Sequence, residues 1–265
     1  MTAADSSDGR EGWALLSGGT SNAGGVFRVG DEVRRPHRAN IEALDLVARH
    51  LRAHQIQAPT YRGLDDAGND RLTYIDGDVP VAPFPTWSLT IDSLTSTAQL
   101  LRRFHDTTRT LAQPDDAVWD RTFADPRGGP VIGHNDASPD NTVFRDGVAV
   151  GFIDLDYAAP TDPLLDLAHF LRMWVPLGTS SSGGNPAATA ARRMSAALRG
   201  YGTAPSDGLA AALGLSLDQA EMFVRRNPSP SFDLLSPDYF SQRREELLTA
   251  LTGPRTSNSD PPDGK

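Results

Sequence analysis

HNDASPDN, His134 to Asn141, followed after a short apolar hairpin by GFIDLD, Gly151 to Asp156, is the stretch on which the reading of this chain turns. The runs VIG, TVF and VAVGFI around it are short and β-rich, and Asp146-Gly147 between the last two is a strong two-residue hairpin signal. The returning strand therefore brings Asp154 back beside the loop that carries Asp136 and Asn141. Taken alone, an octapeptide of Asn, Asp, Ser and Pro is an ordinary turn. The joint pattern is far harder to reach by chance: HxDxxxxN, a tight hairpin, and an aspartate closing an apolar strand.

Working outward, Asp162-Pro163 reads as a helix start, with aspartate as cap and proline in the first turn, leading into LLDLAHFLRMW. Further on, TSSSGGNP reads as a flexible connection, and helical patterns resume at Ala190 to Leu198, Leu217 to Arg226 and Pro237 to Leu251. Upstream, Leu94, Ala98, Leu101, Phe104 and Leu111 keep helical spacing and predict a long core helix from about Asp92 to Leu111. The prolines of VPVAPFPTW separate that half from the first. The first half begins with apolar runs at Trp13 to Leu16, Val26 to Val29 and around Val33, set apart by glycine turns. It continues with a helix between Asn40 and His54 and two strand-like pieces, the stronger at Leu72 to Ile75. The expected architecture is α+β in two lobes: a small antiparallel sheet over residues 11–78 and a larger, mainly helical lobe over 79–252. Residues 1–10 and 253–265 are polar and rich in Pro, Gly, Ser and Asp, and are expected to be disordered.

Bulk properties narrow the function. With 265 residues, 38% of them apolar, the chain can bury a substantial core. No apolar run approaches the roughly 18 residues that a membrane helix needs. The start, MTAADSSDGREGW, lacks the basic-then-apolar order of a secretory signal, so a cytoplasmic protein is expected. The absence of cysteine removes disulfides, thiolate zinc sites and cysteine nucleophiles together. A net charge of −9 argues against nucleic acid or an anionic membrane as partner. The only lysine is Lys265, so every internal phosphate-binding cation is arginine or histidine.

Transfer of a phosphoryl group from a nucleotide needs an acceptor hydroxyl held in line, magnesium bridging the phosphates, and positive charge on the moving group. Asp136 can accept the hydroxyl proton. Asn141 and Asp154 offer the oxygen ligands that magnesium prefers. His134, grouped with Asp136 at the catalytic loop, is better suited to holding that loop by hydrogen bonds than to chemistry.

The segment from Val131 to Trp174 resembles the catalytic half of the aminoglycoside phosphotransferase family, a branch of the protein-kinase-like fold. HNDASPDN is similar to its HGDLHPGN-type loop, GFIDLD to its metal segment and DPLLDLAHF to its DPxxDLA helix start. The resemblance implies that Asp136 is the catalytic base, that Asn141 and Asp154 are magnesium ligands, and that Asp166 is a buried acid supporting the loop. Asp156 either borders the metal or substrate or is a solvated turn acid. In the first half, SGGTSNAGGVFRV resembles a glycine loop folding over nucleotide phosphates, with Gly18, Gly19, Thr20, Ser21 and Asn22 at the nucleotide. Relatives carry a lysine in the strand that here reads VRRP. Strand alternation separates Arg34 from Arg35 and favours Arg35 as the phosphate cation, with Glu42 on the next helix as its partner; a solvated arginine pair is the plainer reading.

The expected function is that of a small-molecule kinase using Mg2+ and ATP or GTP, with an aminoglycoside-like, amino-alcohol or sugar acceptor. The alternative is a non-catalytic nucleotide-binding or immunity protein of the same fold.

Overall fold

The computed structural model describes residues 13–16, 25–176 and 185–253. The expected disorder of residues 1–10 and of the tail beyond Gly253 lies outside them, as do the glycine-loop residues Gly18, Gly19, Thr20, Ser21 and Asn22.

The first half folds into one antiparallel five-stranded sheet in the order β1-β2-β3-β5-β4, built from β1 (Trp13–Leu15), β2 (Phe27–Val29), β3 (Glu32–Pro36), β4 (Tyr61–Leu64) and β5 (Asn69–Thr73). β5 sits a few residues ahead of the expected Leu72 to Ile75, because its register with β3 pairs Glu32 with Thr73 and Pro36 with Asn69. Helix α1 (Ile41–Ala53) turns Leu44, Val47, Ala48 and Leu51 inward, as the spacing requires. The Asn40 side chain makes no capping bond to α1. Its amide donates instead to the Asp156 carbonyl at 3.0 Å, which ties the start of the helix to the second half of the chain.

The second half is mostly helical, with α2 (Ile91–Thr108), α3 (Pro163–Trp174), α4 (Pro186–Tyr201), α5 (Asp207–Arg226) and α6 (Pro237–Thr252). Two small ribbons lie among them. One pairs β6 (Val131–Gly133) with β9 (Ala159–Thr161), and the other is the hairpin of β7 (Thr142–Arg145) and β8 (Val148–Phe152). Asp146 and Gly147 both take positive φ, at 50° and 76°, as the Asp-Gly turn demands. At the head of α3, Asp162 accepts a capping bond from the Leu164 amide at 2.8 Å, with Pro163 in the first turn. Helix α5 starts ten residues before the expected Leu217. Ser206 caps it, and Leu209, Leu213 and Leu217 bury a stripe that runs past Gly208 and Gly214. Glycine lowers helix propensity, but tertiary burial decides here.

The halves meet where Gln57 pairs in parallel with Gly151 and where Asp78 pairs with Phe144. A side chain at Gly151 would place its Cβ 2.2 Å from the Gln57 carbonyl oxygen. Gly151→Ala should therefore force this junction apart and lower stability by about 1–3 kcal/mol, read as an earlier midpoint in urea unfolding.

Candidate active site

The loop between β6 and β7 is held from below by one carboxylate. Asp166, in the first turn of α3 and fully buried, accepts the His134 amide at Oδ2 and the Asn135 amide at Oδ1, each at 2.7 Å. His105 Nε2 of α2 lies 2.8 Å from Oδ2, and His105 Nδ1 lies 2.7 Å from the Tyr201 hydroxyl of α4. Burial pushes the Asp166 carboxyl up, but the hydrogen bond from His105 and the fields of nearby histidines outweigh it, and the group is held below its ordinary value. Gly133, just ahead of the loop, allows this approach: a Cβ there would lie 2.8 Å from Asp166 Oδ2.

His134 is turned entirely to scaffolding. Its Nε2 donates to the Ile153 carbonyl at 3.0 Å, while its Nδ1 accepts the Asp136 amide at 3.2 Å. Burial lowers its pKa, in keeping with a neutral ring whose two nitrogens are both engaged with backbone. A catalytic role for His134 is thereby corrected, since neither nitrogen is free to carry a substrate proton. The same bond joins the loop to the Asp154 segment, and the Ile153 amide adds a second tie to the Asn141 carbonyl at 2.9 Å.

The three residues expected to do chemistry come together. Asn141 Nδ2 donates to the Asp136 carbonyl at 2.9 Å and to its carboxylate Oδ2 at 3.0 Å, fixing the acid within its own loop. Asp154 adopts a left-handed conformation, φ 56° and ψ 60°, which aspartate tolerates better than most residues and which is common where function imposes strain. Burial and the neighbouring Asp154 push the Asp136 carboxyl up to about 8. Asp154 is itself pushed up to about 6, by burial and Asp156, against the pull of Arg35 and Arg38. Half-buried carboxylates that repel one another in this way are short of positive charge, and a hard divalent cation with oxygen preference fits them. Among the described residues no group of three or more His, Cys, Asp or Glu could hold a metal unaided. A cation at Asn141 and Asp154 would thus share its shell with ligands from outside the chain.

The arginine strand separates as alternation predicts. Arg34 faces Glu32, with which it pairs at 2.8 Å, and Asp65 at 3.6 Å. Arg35 is buried on the other face, with Nη1 2.5 Å from Asp156 and 3.4 Å from Asp154. The expected partner Glu42 is corrected: it is exposed, and Asp156, reached from 121 residues away, takes its place. Asp156 is also no solvated turn acid. It is buried, and Arg38 Nε meets its second oxygen at 2.9 Å.

Three residues escaped the sequence reading. His105 lies on the buried stripe of α2, where a polar ring among apolar neighbours was a usable signal. Arg172 stands in the last turn of the otherwise apolar LLDLAHFLRMW. Arg38 had no signal, since its role comes from a partner far along the chain.

Residues 76–205 match the phosphotransferase enzyme family. The trifolitoxin immunity protein of Rhizobium leguminosarum bv. trifolii is 34% identical over 155 residues, which cover 57% of this chain and 55% of that protein. The chain thus spans about half the length of this curated relative. Among solved structures, the choline/ethanolamine kinase family protein of Mesorhizobium loti is 18% identical with a TM-score of 0.56, covering 91% of this chain and 88% of its own. An aminoglycoside phosphotransferase of Streptomyces rimosus is 19% identical with a TM-score of 0.53, covering 80% and 93%. The resemblance first read from the catalytic loop holds, and the fold is that of the protein-kinase-like phosphotransferases.

Loss of the buried anchor should be costly. Asp166→Asn is expected to lower stability by about 3 kcal/mol at neutral pH, because three buried donors lose their charged acceptor. The depressed carboxyl contributes stability above its unfolded value of roughly 4, and that contribution is lost as pH falls through the lower folded value. The gap between wild type and variant in urea unfolding should therefore be full at pH 7 and narrow below about pH 4.

Proposed function

We infer that this chain, whose central segment carries the phosphotransferase family pattern on a protein-kinase-like fold, is a phosphotransferase with an alcohol group as acceptor. It moves the γ-phosphate of ATP or GTP to the hydroxyl of a small molecule. The observation that carries the reading is the bond from Asn141 to the Asp136 carboxylate, in a loop pinned on one side to Asp166 and on the other to the Asp154 segment.

Asp136 takes the proton of the acceptor hydroxyl as its oxygen forms a bond to the γ-phosphorus. The bond from that phosphorus to the β-γ bridging oxygen breaks, and the nucleoside diphosphate leaves with the electron pair. A carboxyl raised by burial is a better proton acceptor once ionised than an ordinary aspartate. Asn141 and Asp154 would hold Mg2+, which when bound neutralises phosphate charge and orients the nucleotide. Arg35, positioned by Asp154 and Asp156, supplies the cation that lysine supplies in relatives; its fork contacts phosphate oxygens in pairs rather than as a point charge. The segment with Gly18, Gly19, Thr20, Ser21 and Asn22 would cover the phosphates. Among the described residues no helix is long and apolar enough to cross a membrane.

A second reading is a non-catalytic immunity protein of the same fold, favoured by the similarity to the trifolitoxin immunity protein. Asp136→Asn separates the two. Under the phosphotransferase reading it should cut kcat by about 10²–10⁴-fold, followed by nucleoside diphosphate release, while nucleotide binding by calorimetry persists. Full biological protection by the Asp136→Asn variant would favour the second reading.

A further inference from the structure

Beside Asp136 a cavity of about 200 Å³ opens between α3, α5 and α6. That is below the roughly 300–1,000 Å³ of common small-molecule pockets, and far short of what a multi-ring oligosaccharide would fill. Its wall is aromatic. The Phe123 ring lies 4.9 Å from Tyr157 and 5.2 Å from Phe223, and Phe223 lies 6.0 Å from Phe232. Such a wall takes an apolar or aromatic body.

The charged lining is unlike what an ammonium-bearing acceptor needs. Among the described residues Asp136 is the only acid in it, and two arginines, Arg172 and Arg243, complete it. Arg243 is already neutralised by Glu246 and lies over the Tyr239 ring at 5.2 Å. Arg172 is different. Its Nε donates to the Ser216 hydroxyl at 3.2 Å, and among the described residues no carboxylate comes within ion-pairing distance of it. A guanidinium that faces a partly open cavity in the field of Asp136 but without an ion pair is a ready bidentate site for a carboxylate. Its partial burial also makes an unpaired charge costly, which a bound anion would relieve.

Resting on the phosphotransferase reading, we propose that the acceptor is a small hydroxy-carboxylate with an apolar body, its carboxylate held by Arg172, its hydroxyl presented to Asp136 and its body packed against Phe123, Tyr157 and Phe223. Arg172 thereby becomes the specificity-determining residue. The transfer itself is unchanged: the acceptor oxygen gains the phosphoryl group, Asp136 receives the proton and the nucleoside diphosphate departs.

Paired probes test this. 3-Phenyllactate and N-benzoylserine are compared with their primary amides, and with ethanolamine and kanamycin, in two assays on the full chain: calorimetric binding without nucleotide, and nucleoside diphosphate release with magnesium and ATP or GTP. Each acid should bind and react at least about tenfold better than its amide, as expected for a lost charge-assisted bidentate contact. Ethanolamine and kanamycin should be the poorest acceptors. In Arg172→Gln the acid-to-amide ratio should collapse towards one. An Arg172→Gln variant that weakens acid and amide equally would overturn the proposal, reducing Arg172 to a charge that tunes Asp136. Turnover of amides or amines at or above that of the acids would also overturn it and leave the phosphotransferase reading standing. Binding of the acids through Arg172 with no phosphoryl transfer to any acceptor would instead sink the phosphotransferase reading, and the acceptor assignment with it.

Discussion

A single buried carboxylate sets the geometry of this molecule. Asp166 accepts two consecutive loop amides and a histidine, and through His105 and Tyr201 it connects the first turn of α3 with α2 and the end of α4. Its place near the positive end of α3 also suits its charge. Backbone amides bonded to a fixed acceptor cannot rotate, so Asp166 sets the path of the loop as far as Asn135, and His134 and Asn141 then hold Asp136 within it. Only a residue without a side chain fits at Gly133 under this arrangement.

A second constraint works across the halves. Arg35, Arg38 and Asn40 all end on Asp156, so the β3 strand and the start of α1 are fastened to the segment that follows Asp154. The contact from Arg35 Nη1 to Asp154, at 3.4 Å, is longer than its 2.5 Å contact to Asp156. Arg35 is therefore anchored by the outer acid while remaining close to the inner one. This arrangement keeps a cation beside the proposed metal carboxylate while Asp156 holds the tight pair.

Much of this was legible in the sequence, and the reasons are local. The Asp-Gly turn, the Asp162-Pro163 helix start and the alternation of Arg34 and Arg35 each depend on residues within a few positions of one another, and each is found as read. Asp166 came from resemblance, and the geometry supplies its physical role. The readings that failed involve long sequence separation. Glu42 lies in the first turn of α1 and looked well placed, yet Arg35 turns to an acid 121 residues away. The beginning of α5 was hidden because Gly208 and Gly214 weaken the local signal while burial of Leu209 and Leu213 supplies the stability. The cavity beside Asp136 draws on α3, α5 and α6 together, and no short window of sequence contains it.

The central claim is that Asp136 and Asp154, brought together by the Asp166 anchor, divide the work between base and metal. Titration of the protein with manganese and a nucleoside diphosphate, followed by electron paramagnetic resonance of the free ion, tests it most directly. Wild type and Asp136→Asn should bind the metal-nucleotide complex with similar affinity, while Asp154→Asn should lose at least about tenfold, as expected when a ligand to the ion is removed. Unchanged manganese binding in Asp154→Asn would contradict the account.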